Sequence, residues 1–474
     1  MRDGDTERRY PPLRPVQGRC WSPGRGCVPS AAVRRWSHRN PTLEEGEDAL
    51  LQGARPHVPG TARAALAVRS FRIVWIGSFL SNIGTWMQNV TLGAFAFELT
   101  RSPSFVSLIV FAQLGPMLLL SVVGGLLADT IDRRTIIVSA QAVQLVGSVV
   151  LAAIVTGGDP SRAALVGCVL VIGVGNALNA PAWVASMPDL VGRENLAGAI
   201  SLNSTQMNAS RVLGPAIGGA LYPAIGPAGV FLVNACTYVA AIGTVLAVRI
   251  PPVRRDLTGP QGWRRLAGGF AVARRDPLVG RILLVLVTFS FLCLPFIGQM
   301  PTVAAVNLGM DTQSLAYGLL YAAFGVGAVT GAMSTGTFLS GMRKEDIVRF
   351  GFAGFSVSLL AFALLRAPAP AYAVIVLVGF CYFGAMTALN TVLQSHLPEG
   401  VRGRVMSLWL MGFGGTVPLG LLLAGPIAEA TSITVVLLYG SLVAFALFLF
   451  ADLDGARARG LAAVARITPA RPIA

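Results

Sequence analysis

From Ile73 onward, the chain is a series of apolar runs, each about as long as a bilayer is thick, separated by short loops that hold Pro, Gly or charge. A helix needs roughly 20 apolar residues to cross the hydrocarbon core of a membrane. The chain is 54% hydrophobic and only 12% charged, which leaves too little polar surface to coat a water-soluble globule. The sequence therefore predicts an all-α integral membrane protein. Its twelve predicted transmembrane helices are 73–98, 104–127, 135–156, 163–186, 199–223, 229–249, 282–307, 314–339, 347–366, 371–394, 404–428 and 432–451.

The formal net charge of +15 is high enough for a nucleic-acid-binding protein, but its distribution argues against that class. In one set of alternate loops, the basic residues are Arg101, Arg162 and Arg366 alone. The other set holds most of the basic residues: Arg133, Arg134, Arg193, a cluster from Arg249 to Arg281, Arg343, Lys344, Arg349, Arg402 and Arg404. Cytoplasmic loops are enriched in Lys and Arg. We therefore expect a multi-pass protein of the cell membrane with both termini in the cytoplasm and no nucleic-acid partner.

The segments outside the apolar runs are basic. The segment 251–281 contains an amphipathic stretch from Trp263 to Val272 flanked by arginines. It has two interpretations: a linker that lies on the anionic membrane surface, or a solvated linker whose arginines only set the topology. The chain is thus divided into a disordered tail 1–69, a first six-helix bundle 70–250, the linker 251–281, a second six-helix bundle 282–452 and a tail 453–474.

The two bundles carry a weak internal repeat. A shift of 206 residues aligns Gly214 with Gly420 and Gly219 with Gly425. Each stretch follows a charged loop and precedes one last apolar run, so spans 5 and 6 correspond to spans 11 and 12. Two parallel six-helix halves with a central site are typical of secondary transporters.

Arg211 is conspicuous because it lies near the middle of span 5, where an arginine is costly unless it is paired or faces water. Ser204, Asn208, Arg211 and Pro215 share one face of that helix by their spacing. We predict that Arg211 either attracts an anionic group of the substrate or anchors the helix bundle. The predicted lining of a central cavity is Asn82, Thr85, Asn89, Asn176, Asn179, Ser204, Asn208, Arg211, Gln299, Tyr382 and Asn390.

The sequence gives no support for catalysis, a metal or a cofactor. Two histidines lie in the N-terminal tail and His396 in a predicted loop, so no catalytic set can be assembled from motifs. Lys344, the single lysine, has no phosphate-binding-loop context, so an ion gradient is the default energy source. No acidic residue lies in the interior of a predicted span; Asp129 is at one end of the bundle, and Glu98 and Glu429 are at the other. No carrier residue for a proton can therefore be assigned.

The loop between spans 2 and 3 has the pattern Gly125, Leu127-Ala128, Asp129 and Asp132-Arg133-Arg134. It resembles motif A of the major facilitator superfamily. Thr130 replaces a basic residue and Asp132 a glycine, and this Asp-Arg-Arg variant is similar to that of the enterobactin-exporter-like, drug and siderophore efflux branch, also called transmembrane secretion effectors. The resemblance implies a gate in which Gly125, Asp129, Asp132, Arg133 and Arg134 hold the cytoplasmic side shut, with Arg404 on span 11 as the partner of Asp129.

Other segments resemble the same branch, over residues 70–452 in all. They include Ser81 to Gln88 in span 1 and Arg193 to Leu196 before span 5. Gly214, Pro215, Gly218 and Gly219 on span 5 resemble the exporter-associated motif C, whose small residues allow helices to approach closely. The resemblance implies two pseudo-symmetric six-helix bundles of the major facilitator fold.

The predicted function is secondary active efflux of a small organic molecule, such as a drug-like amphiphile or a siderophore. The proton gradient as driving force is implied by the family alone, and a monomer is expected. An importer of an organic anion would also use Arg211 and stays open as an alternative. A non-transporting membrane sensor or scaffold is the third, although no partner motif is visible in either tail.

Overall fold

All regular structure in the described part of the chain is helical. The computed structural model describes residues 58–118, 120, 131–158, 160–249 and 263–456, apart from the side chains of 263–267 and 399–400. A 3-10 turn covers Arg193–Asn195, and π-helical turns cover Val303–Asn307 and Met411–Gly415. The α-helices are α1 Ala62–Ala67, α2 Arg69–Thr100, α3 Pro103–Leu114, α4 Arg133–Thr156, α5 Arg162–Val191, α6 Leu196–Leu246, α7 Trp263–Arg275, α8 Pro277–Leu292, α9 Pro295–Gly298, α10 Met300–Thr302, α11 Leu315–Ser334, α12 Lys344–Leu364, α13 Pro368–His396, α14 Glu399–Leu410, α15 Thr416–Ala430 and α16 Ile433–Phe450.

Nine helical segments in the described residues are long and apolar enough to cross a membrane. An all-helical, multi-pass architecture is therefore confirmed, whereas the number twelve stays a prediction. Three predicted spans account for the difference. Helix α2 carries many amide and hydroxyl side chains, which lower its hydropathy; the predicted span 104–127 runs beyond the described residues after α3; and the predicted spans 199–223 and 229–249 form the single helix α6.

Helix α6 changes direction at Gly226, whose φ of 66° and ψ of 177° belong to a region that essentially only glycine occupies. We expect Gly226→Ala to lower the free energy of unfolding by about 1–3 kcal/mol. No atom lies within 4 Å of a Cβ built at this position, so the effect is backbone strain without a clash. Thermal unfolding in detergent measures it. Gly243→Ala is the control, because Gly243 also has open space but ordinary helical backbone; an equal loss in both variants would contradict the explanation.

Short polar side chains begin several of the helices. Ser102 accepts a hydrogen bond from the Phe105 N–H at 3.2 Å, and Asp132 accepts one from the Arg134 N–H at 3.2 Å. Asp276 accepts from the N–H groups of Leu278 and Val279 at the start of α8. These bonds satisfy donors that the first helical turn leaves unpaired. They also fix where α3, α4 and α8 begin; α8 starts at Pro277, earlier than the predicted residue 282.

The helices pack as two sets that meet along two seams. Helices α2, α4, α5 and α6 contact one another, as do α11, α12, α13 and α16. Between the sets, α6 packs on α11 and α3 packs on α15. We call the end of the bundle at which α7 lies the linker end, and the opposite end, where α2 finishes, the Glu98 end. The predicted domain boundaries are not tested by these contacts and stay predictions.

Candidate transport site and the contacts around it

Arg211 lies between two aromatic rings that come from the two helix sets. Its guanidinium carbon is 5.6 Å from the ring centroid of Trp86 on α2 and 5.0 Å from that of Phe383 on α13. Both distances are within the range of cation–π attraction. One guanidinium nitrogen also donates to the Asn208 Oδ1 at 3.3 Å. Within the described residues, no carboxylate lies within 4 Å of this guanidinium. Arg211 is therefore held by rings and an amide, and no acid among the described residues neutralises its charge.

Phe383 belongs to a larger aromatic cluster in the second helix set. Its ring centroid is 4.4 Å from that of Tyr382, which is 6.2 Å from Phe324 and 6.4 Å from Phe413. Tyr382, predicted to line the cavity, is buried within this cluster and contacts its neighbours mainly through its ring. The cluster fixes the position of Phe383 against Arg211.

Polar side chains extend from Arg211 toward the linker end on both α6 and α13. On α6, Asn208 and Ser204 lie one and two turns before Arg211, and Ser204 is exposed. On α13, Asn390 follows Phe383 by two turns and accepts a hydrogen bond from Gln394, which is exposed. The structure thus brings Ser204, Asn208, Arg211 and Asn390 onto two helix faces that continue from the Arg211 site to the linker end.

Other predicted cavity residues lie within helix contacts. Thr85 shares a hydrogen bond of 3.0 Å with the hydroxyl of Tyr238, which is buried. Asn89 accepts a hydrogen bond from Gln113. Asn82 and Asn176 are half-buried on α2 and α5. Both side chains are used between neighbouring helices in this structure, and the prediction that Thr85 and Asn89 face the cavity stays a prediction.

Asn179 lines a separate small cavity of about 10 Å³ with Ser78 and Gln141. The Asn179 Oδ1 is buried and has no hydrogen-bond partner among the described residues. Such a volume approaches the room that one water needs. Asn179 therefore belongs to the interior of the first helix set and is separate from the Arg211 site.

Gln299 joins the two helix sets. It is fully buried, and its amide nitrogen donates to the Pro103 carbonyl at 2.7 Å and to the Ser107 Oγ at 2.6 Å. Its amide oxygen accepts from Thr302 at 2.6 Å. In this structure its polar atoms are used between the helix sets, and its place in the cavity lining stays a prediction.

The structure describes only part of the predicted motif A gate. Gly125 and Asp129 lie outside the described residues, so the Asp129–Arg404 contact stays a prediction. Arg133 donates to the Ala185 carbonyl at 2.7 Å and forms an ion pair with Asp189, and Arg134 donates to the Leu246 carbonyl at 2.6 Å. Asp132 caps α4, as described above. These contacts tie the start of α4 to the linker-end termini of α5 and α6.

Arg404 packs against the linker helix α7. A Cβ at Gly268 would lie 3.1 Å from the Arg404 Cδ, and one at Gly269 would lie 2.7 Å from the Arg404 carbonyl oxygen. Such spacing leaves no room for a side chain at Gly269. The predicted amphipathic stretch is thus a helix docked on α14.

The motif C glycines lie at close helix contacts. Gly214 and Gly218 contact α2; a Cβ at Gly214 would be 2.5 Å from the Trp86 Cβ. Gly219 contacts α11, where the same construction gives 2.6 Å to the Gly318 Cα. Three small residues on α6 therefore allow two other helices to approach its backbone.

The glycines one repeat later make equivalent contacts. Gly420, aligned with Gly214, lies against the Phe291 carbonyl of α8, and Gly425, aligned with Gly219, lies against Ser107 of α3. By the same shift of 206 residues, α2 corresponds to α8 and α3 corresponds to α11. The two seams between the helix sets are thus built in the same way.

Hydrogen bonds between the two helix sets concentrate at the Glu98 end. Thr312 Oγ1 donates to Glu98 Oε1 at 2.6 Å, and Gln313 donates to Glu98 Oε2. Ser102 Oγ donates to Glu429 Oε2 at 3.1 Å. Glu429 is also hydrogen-bonded to Ser104. The Gln299 bonds join the two helix sets near the same end. Sequence reasoning placed Glu98 and Glu429 at span ends but gave no sign of their partners, which are more than 200 residues away.

The charged contacts at the linker end stay within one set. His396 is 2.7 Å from the Asp276 carboxylate. Arg343 pairs with Asp454, and this hydrogen bond raises the pKa of the exposed guanidinium. Side-chain bonds between the sets therefore fasten the Glu98 end, and in the described residues none fastens the linker end.

Two helix sets that meet on two repeated seams around a charged central site define a secondary transporter of the major facilitator type, a class of carriers and not of enzymes. Solved structures support the fold. A nucleoside transporter, NupG, has a TM-score of 0.65 at 14% identity and covers 81% of this chain and 99% of its own. A bacterial homologue of the lysosomal transporter Spinster has a TM-score of 0.61 at 16% identity and covers 85% and 99%.

The chain belongs to the transmembrane secretion effector family, whose model matches residues 60–468. It is 29% identical over 347 residues to the enterobactin exporter EntS of Escherichia coli O1:K1 / APEC, covering 72% of this chain and 80% of the relative. The enterobactin exporter of Citrobacter koseri is 28% identical over the same length, with the same coverage. The predicted branch is thereby confirmed.

Proposed function

We propose that the protein exports a small organic molecule with an anionic group, using the proton gradient. The observation that carries this proposal is the Arg211 guanidinium, which is held between Trp86 and Phe383 with no carboxylate of the described residues beside it. A cation at this depth is costly unless something compensates its charge. An anionic cargo supplies that compensation. As the two helix sets move, apolar parts of the cargo replace the contacts of the Trp86 and Phe383 rings with Arg211.

The outward direction has three supports. The arginine distribution puts the linker end in the cytoplasm. The polar faces that lead from the linker end to Arg211 then give cargo a route from the cytoplasm to the site. The curated relatives are named as enterobactin exporters, which favours efflux of a siderophore-like or drug-like molecule.

The gate at the linker end is part of the same proposal. Asp129 meets Arg404 when that end closes, and the contacts of Arg133 and Arg134 hold the start of α4 in place for it. The motif C glycines Gly214, Gly218 and Gly219, with Pro215, let α6 move closely against α2 and α11. The protein works as a monomer in the cell membrane, with both termini in the cytoplasm.

We expect Arg211→Gln to reduce transport of acidic cargo roughly tenfold and that of neutral cargo much less, because a cation–π or charge-assisted contact is worth about 1–2 kcal/mol. Everted vesicles with an imposed proton gradient, supplied with matched acidic and neutral compounds from an efflux-susceptibility screen, measure this. Arg162→Gln is the control, since Arg162 is exposed at the Glu98 end.

Three outcomes would contradict parts of the proposal. Equal loss for both cargo types would assign Arg211 a structural role. Uptake in right-side-out vesicles without export would make the protein an importer of organic anions. If the purified protein moved no compound under any gradient, a sensor or scaffold would be the better assignment.

A further inference from the structure

Two carboxylates at the Glu98 end accept hydrogen bonds across the boundary between the helix sets. One carboxylate belongs to each set, and its donors belong to the other. Glu98, from the first set, accepts hydrogen bonds from Thr312 and Gln313 of the second. Glu429, from the second set, accepts hydrogen bonds from Ser102 and Ser104 of the first. We name these two groups of contacts the carboxylate clasp. Because each set contributes one acid and one group of donors, the clasp fastens this end from both sides.

The groups around Glu98 are neutral or acidic, so the strength of the hydrogen bonds that it accepts depends mainly on whether Glu98 is ionised. In the described residues, no basic side chain lies within 4 Å of either clasp carboxylate. The titratable neighbours of Glu98 are Tyr222 of α6, Tyr317 of α11 and, near Tyr222, Asp311. Tyrosine is neutral at physiological pH, and Asp311 adds only negative charge. Arg101, three residues beyond Glu98, lies over the Phe97 ring.

Hydrogen bonds to an ionised carboxylate are roughly twice as strong as those between neutral groups. An ionised Glu98 can accept from Thr312, Gln313 and the Tyr222 hydroxyl, which is 3.5 Å away. A protonated Glu98 accepts more weakly, and its own proton needs an acceptor, although all three neighbours are already oriented as donors. The contribution of the clasp is therefore present when Glu98 is ionised and is lost as the pH falls and the carboxyl group takes up a proton.

We propose that the carboxylate clasp is a proton-sensitive latch, in which protonation of Glu98 releases the Glu98 end and favours the outward-open form. The proposal rests on the proposed direction of transport, which places this end outside the cell. An acidic outside then favours the outward-open form, from which cargo leaves the cell. Glu429 contributes less, because it is exposed to water.

The test measures opening of the Glu98 end without any cargo. Spin labels are placed by Arg162→Cys and Ala369→Cys, at exposed positions on the first turns of α5 and α13, after replacement of the six native cysteines. Double electron–electron resonance on the full chain in lipid nanodiscs gives the distance distribution as the pH is lowered from neutral to about 4. In the otherwise wild-type chain, the population with longer distances should rise at least about tenfold relative to the closed form.

Glu98→Gln mimics the protonated side chain with almost unchanged shape. It should show the longer distances already at neutral pH and lose most of the pH response. Thr312→Val, which removes a donor from the other helix set, should shift the population in the same direction, and Glu429→Gln should do so to a smaller extent. Glu194→Gln, an exposed acid before α6, should behave like the parent chain.

A parent chain whose distances ignore pH, or a Glu98→Gln variant with the full pH response, would overturn the latch. These results are independent of the proposed function. Efflux in vesicles combined with pH-insensitive distances would retain export and reject the latch, whereas pH-dependent opening without transport of any compound would retain the latch and reject export.

Discussion

Replacement of Gly318 by valine is expected to reduce transport more than roughly tenfold. A Cβ at Gly318 would lie 2.5 Å from the Pro215 carbonyl oxygen and 2.6 Å from the Gly219 Cα, both of which are backbone atoms. Backbone cannot rotate away as a side chain can, so α11 must separate from α6. Overpacking of this kind costs about 1–3 kcal/mol of stability. Because the contact joins the two helix sets, we expect transport to fall by more than roughly tenfold, which corresponds to about 1.4 kcal/mol or more in the transport barrier.

Transport in everted vesicles and thermal unfolding in detergent measure the two effects of Gly318→Val. The matched control is Gly167→Val on α5, which introduces the same β-branched side chain into a helix where no atom lies within 4 Å of the new Cβ. Similar transport by the two variants would show that the α6–α11 contact need not be close.

Gln299→Leu is expected to destabilise the folded protein by roughly 3 kcal/mol, because each buried polar group left without a partner costs about 1–3 kcal/mol. The substitution removes the partner of the Pro103 carbonyl and of the Ser107 and Thr302 hydroxyls, in a place with no exposed surface. The same bonds join the two helix sets, so the Glu98 end should also open more often.

Thermal unfolding and the spin-label distance between positions 162 and 369 report these two effects. Gln394→Leu is the control, since Gln394 is exposed in the same helix set and bonds only to Asn390 in the described structure. Equal unfolding temperatures for the two variants would mean that the Gln299 bonds are replaced by others.

Features with local causes were predictable from the sequence. Apolar runs gave the helices, and the glycine repeat gave equivalent positions that have equivalent contacts at Gly219 and Gly425. The polar stripe on span 5 identified Arg211 and Asn208, which are hydrogen-bonded. These signals depend on spacing along one helix, which a single sequence contains.

Features that depend on pairing between distant helices were not predictable. Gln299 and Asn89 are polar residues in apolar runs, and nothing in their spacing tells whether water or another helix satisfies them. Glu98 was correctly placed at a span end, but its partner Thr312 is 214 residues away. The ring partners of Arg211 were missed for the same reason, since aromatic residues occur throughout the apolar runs.

The seams between the helix sets also bear on how fast the protein can change shape. Where Gly219 meets Gly318, main chain touches main chain, and no side-chain rotamer has to change for one helix to roll over the other. A seam of interlocked side chains would have to disengage and re-form at each step, which adds to the barrier. Because such backbone contacts add little to the barrier, the polar groups at the two ends control the rate of the conformational cycle, through their charge and the ligands that they bind.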